Sequence, residues 1–506
     1  MTDDAWNALL HGGLWRSPRM LWVEDDTEYS ARRVDDLASA VEAAIAAAVR
    51  ADGPVRVIRI RSDAKLGCFA GQLAAWRAGC VAVADDGGFG PEELDHVRPD
   101  LALTVTVTGD SWSVAAEGAA DRPSAGRAAN RPGTDRAAGR TSTDRIPAEV
   151  VAVNFTSGST GSRKAVAVTR GNLLALFACR GLDVPAATGR LTSGSFARPA
   201  YDGWWFDTWR TVAADGTVVC LPGVNEDVFA WPDLARTYGI DRVLLPAAVV
   251  ATLVAAVPEA IAGIPWLFSG GEQFQVSTYR RARQAGLRNH FVNLYGPTEA
   301  TFATHRYELP EVLTTPLIPI GRPLDGCRQT LRTPEGDRNG HGDADHPSTA
   351  GRELVVAGPL VCLGYLAAGT LAHRFAEEDG ERAYHTGDLV SVDDAGDLVF
   401  AGRLDSRIKV NGTRVDAAAL EQEVAALPGV LDCRVVQDAE STVAFVRTAA
   451  PGADTALASL VEPVVKGFSP AIRVRLTDSF PTKSGGKVDT RLLMARHRAT
   501  EEGGER

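Results

Sequence analysis

The sequence predicts an α/β protein: a large N-terminal domain of layered βα subdomains plus a β-rich subdomain, followed by a small α+β C-terminal domain. Three observations carry this. At 506 residues the chain exceeds one ordinary hydrophobic core. Short Val/Ile/Leu runs alternate with helical stretches over residues 55–106 and again from 150 to about 302, the βαβ rhythm of parallel sheets covered by helices. Residues 317–400 turn β-rich, and a fresh strand–helix alternation follows Gly402-Arg-Leu-Asp405.

In chain order, Val55-Arg-Val-Ile-Arg-Ile60 reads as a strand and Gly67-Cys-Phe-Ala-Gly-Gln-Leu-Ala-Ala-Trp76 as the helix after it. Between 109 and 147 the periodicity stops. Ala, Gly, Arg, Asp and Pro dominate there, a composition unable to offset its ordering entropy, so a flexible, solvated insertion is expected. Val150-Val-Ala-Val153 reads as a buried strand, Ala165-Val-Ala-Val168 as a second, and Asn172-Leu-Leu-Ala-Leu-Phe-Ala178 as a helix. Glu353-Leu-Val-Val-Ala357 and Asp397-Leu-Val-Phe-Ala401 are strands of the β-rich region. The polar stretch from Thr333 to Gly351 holds His341, Asp343, Asp345 and His346, but no rigid element to fix ligand geometry, so a solvated turn is expected rather than a metal site. Ala417-Ala-Ala-Leu-Glu-Gln-Glu-Val-Ala-Ala426 is a helix and Val443-Ala-Phe-Val-Arg447 a strand of the last domain. The boundary falls at 401–406, dividing the chain into 1–401 and 402–506.

Bulk properties exclude several classes. A net charge of −11 and the lack of a basic stripe with interleaved aromatics argue against nucleic acid. No apolar run approaches bilayer-spanning length, which argues against a membrane partner, and the acidic N-terminus is unlike a secretory signal. Cys68, Cys80, Cys179, Cys220, Cys327, Cys362 and Cys433 are scattered and form no C-x-x-C pair, so a reducing, cytoplasmic setting is expected.

Chemistry concentrates in a few loops. Asn154-Phe-Thr-Ser-Gly-Ser-Thr-Gly-Ser-Arg-Lys-Ala165 is small, flexible and hydroxyl-bearing, and closes on a cation. Its backbone N–H groups, hydroxyls and Lys164 suit a polyphosphate, although the G-x-x-x-x-G-K-S/T pattern is absent. Composition alone would make it a linker; the flanking strands and helix make it a phosphate loop. Asn293-Leu-Tyr-Gly-Pro-Thr-Glu299 offers an aromatic face for a purine, a hydroxyl and a carboxylate suited to Mg²⁺. Tyr384-His-Thr-Gly-Asp-Leu389 ends near a carboxylate able to hold ribose hydroxyls. With Gly402-Arg-Leu-Asp405 and Pro481-Thr-Lys-Ser-Gly-Gly-Lys-Val-Asp489 in this order, the chain resembles the adenylate-forming superfamily, most closely the amino-acid adenylation domains of nonribosomal peptide synthetases. The resemblance is strong over about 150–490 and weak over the first 150 residues.

The resemblance implies an ATP- and Mg²⁺-dependent ligase with a mobile C-terminal lid. Thr156, Ser157, Thr160 and Lys164 would hold the β- and γ-phosphates, with Gly158, Ser159 and Gly161 completing the cradle. Tyr295 would stack on adenine, with Asn293, Gly296 and the Gly270-Gly271-Glu272 backbone around it. Thr298 would contact the α-phosphate and Glu299 the metal; Asp388 would hold the ribose beside Arg403. Lys487 would reach in from the small domain to neutralise charge in the transition state; Lys483 stands close, but Ser-Gly-Gly-Lys-Val-Asp places Lys487 in the catalytic position. No general base is implied, since a carboxylate is already a nucleophile. Asp405 matches the hinge about which the lid rotates.

Ala200-Tyr-Asp-Gly-Trp-Trp-Phe-Asp-Thr-Trp209 resembles the start of the family's substrate-binding helix. Asp202 would bind the substrate ammonium, a role it can combine with capping the helix. Gly203, Phe206, Leu244, Phe268, Gly270, Leu294, Phe302 and Ala303 would line the pocket. This apolar set disfavours charged side chains, and three phenylalanines shorten it toward small or branched aliphatic amino acids. A β-amino acid is also compatible with Asp202. Ala165 departs from the usual glycine after the loop lysine. No carrier signature is present, and only 17 residues follow Asp489, so a free-standing enzyme is expected. It would load the phosphopantetheine thiol of a separate carrier protein, with a small activating protein left open. The competing readings are an acyl-CoA synthetase, disfavoured by Asp202 and the Gly-Pro-Thr-Glu loop, and a catalytically dead nucleotide binder, disfavoured by Lys164, Glu299, Asp388, Arg403 and Lys487 occurring together.

Overall fold

A computed structural model describes residues 3–118, 146–156, 163–333, 351–404, 407–410, 413–438, 441–448, 455–481 and 488–504. Two large sheets form the N-terminal region. The nine-stranded sheet has a parallel centre, Met20–Glu24, Thr217–Cys220, Thr192–Ser195, Arg242–Pro246, Trp266–Gly270 and His290–Tyr295 in spatial order, with antiparallel strands at both edges. The eight-stranded sheet runs from Thr370–Arg374 through Gly364–Ala367, Ala165–Thr169, Val150–Phe155, Val81–Asp85, Val57–Ser62 and Leu101–Thr108 to Ser111–Gly118. Its central strands are buried at every position, which is why they read as unbroken apolar runs. A third, antiparallel sheet joins Arg328–Arg332, Arg352–Ala357, Glu381–Val392, Ala376–Glu378 and Leu398–Arg403. The C-terminal region adds a two-stranded ribbon and a three-stranded sheet, with the helices Ala417–Ala425 and Thr455–Phe468 packed on one core and Thr490–Gly504 on a second, smaller one.

Two boundaries differ from the sequence expectation. Ser111–Gly118 is a strand paired along its length with Leu101–Thr108, although the pattern break was placed at 109. Trp112 and Val114 alternate onto one face and pack on the core, and the Arg33 guanidinium covers the Trp112 ring at 4.0 Å. Polar neighbours hid this short period-2 signal. The rest of the expected insertion, 119–145, lies outside the described residues, as do 334–350 of the polar stretch. At the domain boundary, Leu398–Arg403 pairs with Glu381–Val392 and puts Arg403 opposite Asp388. Gly402 and Arg403 therefore belong to the large region, and the connection starts after them.

The segment behind the expected pocket is pinned by tryptophans. Gly203 opens a helix that widens into a π-helical turn at Trp205–Trp209 before Arg210–Ala213 resumes α geometry, a deviation often found at functional sites. The Trp204 and Trp209 indoles both donate to Gln72 Oε1, at 2.8 and 2.7 Å, from the helix Lys65–Arg77. Trp205 donates to Asn154 Oδ1 at 2.6 Å, at the end of the strand leading into the phosphate loop. Buried indole N–H groups need acceptors, so these bonds lock the turn against two other elements. Gln72→Met keeps the volume and leaves two donors unpaired. It should lower stability by about 2–4 kcal/mol, read as a shifted urea midpoint.

Candidate active site

The expected phosphate loop is flanked by a pair of antiparallel strands. Val150–Phe155 pairs with Ala165–Thr169, and Thr156 and Lys164 close the loop base through Thr156 N–H to Lys164 O at 3.0 Å. Ser157, Gly158, Ser159, Thr160 and Gly161 lie outside the described residues. Lys164 emerges beside the neighbouring strand, where Tyr365 pairs with Val166, and its Nζ stands 4.9 Å from the Tyr365 ring centroid. The Tyr365 hydroxyl donates to Glu299 Oε1 at 2.6 Å and lies 3.3 Å from the Tyr384 hydroxyl. Burial and then the Glu299 charge push the Tyr365 hydroxyl well above its ordinary pKa, so it stays a donor. Tyr365 thus joins the loop cation to the expected metal ligand. It carried no sequence signal, because the contact spans 66 residues; Tyr384 stood inside a recognised motif without a role.

Glu299 sits on the 3-10 turn Thr298–Ala300 after Pro297. Thr301 follows at φ 70°, and Phe302 N–H bonds back to Ala300 O at 2.8 Å. This tight γ-type turn is strained for a β-branched residue. It is held by the buried Thr301 hydroxyl donating to Leu360 O at 2.6 Å. Its consequence is to send Glu299 toward Tyr365 while Phe302 and Ala303 turn into the pocket. Gly296 passes so close to this segment that a Cβ would fall 2.6 Å from Phe302 O.

Tyr295 and Asp388, expected on adenine and ribose, meet: the phenol donates to Asp388 Oδ2. Asp388 also receives Arg403 Nη1 at 2.5 Å. Gly271, at φ 82°, needs its glycine to turn beside them. Asn293 is buried and its amide donates to Pro319 O at 2.8 Å, committing that group to the fold. Glu272 faces the small domain across a crevice it lines with Asp432 and Arg434. Burial works against the Arg434 charge, and Asp432, Glu421 and Glu272 outweigh it. Lys487 and Asp405 lie outside the described residues.

The residues expected to line the pocket lie close together. Thr298 Oγ1 donates to Asp202 Oδ2 at 2.6 Å, joining the expected α-phosphate and ammonium ligands. Phe206 stacks on Phe302 at 5.3 Å and meets Phe268 edge-on at 5.0 Å. A Cβ on Gly203 would touch Leu244 at 3.0 Å, and one on Gly270 would lie 2.9 Å from Leu294 O. Asp207, to which the sequence pattern assigned nothing, is fully buried; its Oδ2 accepts Phe196 N–H at 3.0 Å and Ala197 N–H at 2.8 Å. It thereby fixes the wall leading to Asp202. Burial raises its pKa to about 6, against Lys65 and those bonds.

For the implied magnesium, the donor chemistry fits. Among the described residues no group of three or more His, Cys, Asp or Glu could hold a metal. Glu299 supplies one hard carboxylate, which suits Mg²⁺ shared with substrate phosphates.

His305 braces Tyr295 at a ring distance of 5.7 Å and bonds Thr304 Oγ1 and Gln329 Oε1. Burial lowers its pKa from 6.5 to about 4. The unfolded chain therefore takes up this proton first, and stability present above pH 6.5 is lost as pH falls through 4. Asp207 acts in the opposite sense over part of that window: its stability is full below 3.8 and lost as pH rises through about 6. The comparison of His305→Gln with wild type isolates the histidine. The variant should lose about 3 kcal/mol less on acidification, measured by urea unfolding at the two ends of the window.

The AMP-binding enzyme family matches residues 17–366, so the likeness extends well upstream of residue 150. The non-ribosomal peptide synthetase CmlP of Streptomyces venezuelae is 35% identical over 350 residues, 67% of this chain and 33% of that protein. The L-allo-isoleucine:holo-(CmaA peptidyl-carrier protein) ligase of Pseudomonas savastanoi pv. glycinea is 27% identical over 413 residues, 80% of this chain and 65% of that protein. The chain thus spans about a third of the first relative and under two thirds of the second. The crystal structure of IdnL7 shares the fold, with a TM-score of 0.72 at 24% identity over 98% of this chain and 99% of that one. With this fold, this convergence of Lys164, Glu299, Tyr295 and Asp388, and a family match covering most of its length, the chain belongs to the AMP-binding enzymes of the adenylate-forming superfamily, and is of the nonribosomal peptide synthetase adenylation type.

Proposed function

We propose that the chain is an ATP-dependent ligase that activates an amino acid with a small or branched apolar side chain and transfers it to the phosphopantetheine thiol of a separate carrier protein. The observation that carries this is the Thr298–Asp202 hydrogen bond of 2.6 Å. An ammonium held by Asp202 and an α-phosphate held by Thr298 must then lie side by side, with the substrate carboxylate between them, which is the near-attack arrangement adenylation needs. In the first step a carboxylate oxygen bonds to the α-phosphorus as the bond to pyrophosphate breaks. In the second the carrier thiol attacks the acyl carbon and AMP leaves. Lys164 binds phosphate charge, Tyr365 orients Glu299, and Asp388 with Tyr295 holds the nucleoside. Lys487 neutralises charge at the reacting centre, and Asp405 is the pivot of the lid. Mg²⁺, when bound at Glu299, supplies charge neutralisation at the phosphates.

The three clustered phenyl rings support a short pocket, and the relative from Pseudomonas named for L-allo-isoleucine supports a branched aliphatic side chain. Amino-acid-dependent ATP–pyrophosphate exchange is expected with aliphatic α- or β-amino acids; silence across such a panel rejects the proposal. Asp202→Asn should reduce kcat/KM for the amino acid by about 10²–10³ while leaving KM for ATP unchanged. Lys487→Ala should reduce adenylation by about 10²–10³, and near-wild-type turnover would remove it from catalysis. Transfer to free CoA in preference to a carrier protein would point to the acyl-CoA synthetase reading.

A further inference from the structure

One large ionised side chain lies under the pocket, outside every motif described above. Arg242 begins the strand Arg242–Pro246 and is 0% exposed. Side chains two apart share a face of a strand, so Arg242, Leu244 and Pro246 point together. Val243 and Leu245 belong to the core on the other side of the sheet. The parallel register aligns Pro246 with Gly270, Leu244 with Phe268 and Arg242 with Trp266. Ligands of open α/β sheets sit at the carboxyl ends of the strands. Gly270 is therefore at the mouth, Leu244 and Phe268 one layer in, and Arg242 about 6–7 Å deeper again.

The contacts agree with that depth. Gly203 packs over Leu244, and three residues further along the helix Phe206 lies over Arg242, its ring centroid 4.2 Å from the guanidinium carbon. Arg242 Nη2 donates to Phe206 O and to Thr211 Oγ1, both at 3.0 Å, and Nε donates to Ser193 Oγ at 3.3 Å. One of these bonds grips the π-turn from which Phe206 projects, and a second holds the helical turn that follows it. Nη1, by contrast, is buried and has no hydrogen-bond partner among the described residues. A buried guanidinium with an unmet donor is costly, and burial together with Arg210 pushes its pKa well down, opposed by Asp207, Asp183 and Asp241. Packing alone would be served by an apolar residue.

We propose that Arg242 is a positioning and specificity-determining residue: it fixes the depth of the amino-acid pocket by clamping Phe206 across it, and forms a cationic floor that the Phe206 ring conceals. This inference rests on the amino-acid-activating reading above. It follows that the size of residue 206 decides whether the site sees an apolar wall or a cation. With phenylalanine, the substrate side chain ends at the ring. With a small residue, the unmet Nη1 donor becomes available to a substrate carrying a terminal carboxylate.

The test is ATP–pyrophosphate exchange by the full chain with isoleucine, leucine, glutamine and glutamate. In Phe206→Ala the glutamate-to-glutamine ratio of kcat/KM should rise by about 10–100-fold over wild type, the difference a charge-assisted bond makes. Phe206→Val, which keeps more of the packing, is read by the same ratio. Phe206→Ala/Arg242→Met should lose that rise and still accept leucine. Arg242→Met alone should raise KM for the best amino acid about tenfold, with KM for ATP and the thermal midpoint nearly unchanged. Arg242→Lys should not restore it, since an ammonium lacks the planar two-bond grip. An unchanged glutamate-to-glutamine ratio in the Phe206 variants, with wild-type exchange intact, overturns this inference alone. Absence of wild-type exchange with any amino acid overturns the functional reading first.

Discussion

Two ionisable side chains removed from water set the shape of this site. Asp207 and Arg242 are completely buried within one stretch of structure, and neither can be left without partners. The partners they find include backbone groups beside side-chain hydroxyls. Asp207 accepts the amides of Phe196 and Ala197, and Arg242 donates to the carbonyl of Phe206. Satisfying the charges therefore immobilises the main chain on both sides of Asp202. The wall and floor of the pocket are held by electrostatic necessity, in a place where apolar packing alone would tolerate several arrangements.

The same logic extends outward through hydrogen bonds that cross from sheet to sheet. Trp205 reaches Asn154 on the eight-stranded sheet, Tyr295 reaches Asp388 on the antiparallel sheet, and Tyr365 reaches Glu299 beyond the edge of the nine-stranded one. Each bond links side chains expected to contact different parts of one ligand pair, or a support to such a side chain. The site lies at the junction of three sheets, and its geometry is preorganised to the extent that those sheets are locked together. The small domain stands against the large one near Glu272 through Asp432 and Arg434, so a side chain beside the expected adenine shelf also faces the lid.

Legibility in the sequence followed the range of the interaction. Strands buried on both faces and the helices between them were readable because their signals are local: apolar runs and periodicity. Ordered motifs also pointed to Lys164, Tyr295, Glu299, Asp388 and the apolar pocket set as candidates, and the structure places Lys164 near Glu299 through Tyr365, Tyr295 against Asp388, and the phenylalanines of the set against one another. The strand Ser111–Gly118 was missed because alanines and polar residues diluted its alternation. Tyr365, His305 and Arg242 were missed for a different reason. A tyrosine on a short strand, a histidine and an arginine at a strand start have no composition that marks them, and only the packing of distant segments gives them partners.

The sequence by itself determined the fold class and the family, and supplied the candidates for the site, because each is written in residue types at short spacing. The tertiary structure decided how deep the pocket is, which hydroxyl orients Glu299, that Thr298 and Asp202 share a hydrogen bond, and that a guanidinium lies beneath Phe206. Those features depend on strand register and on the partners that buried polar groups must find. Both are properties of segments far apart in the chain, whose relation exists only once the sheets have assembled.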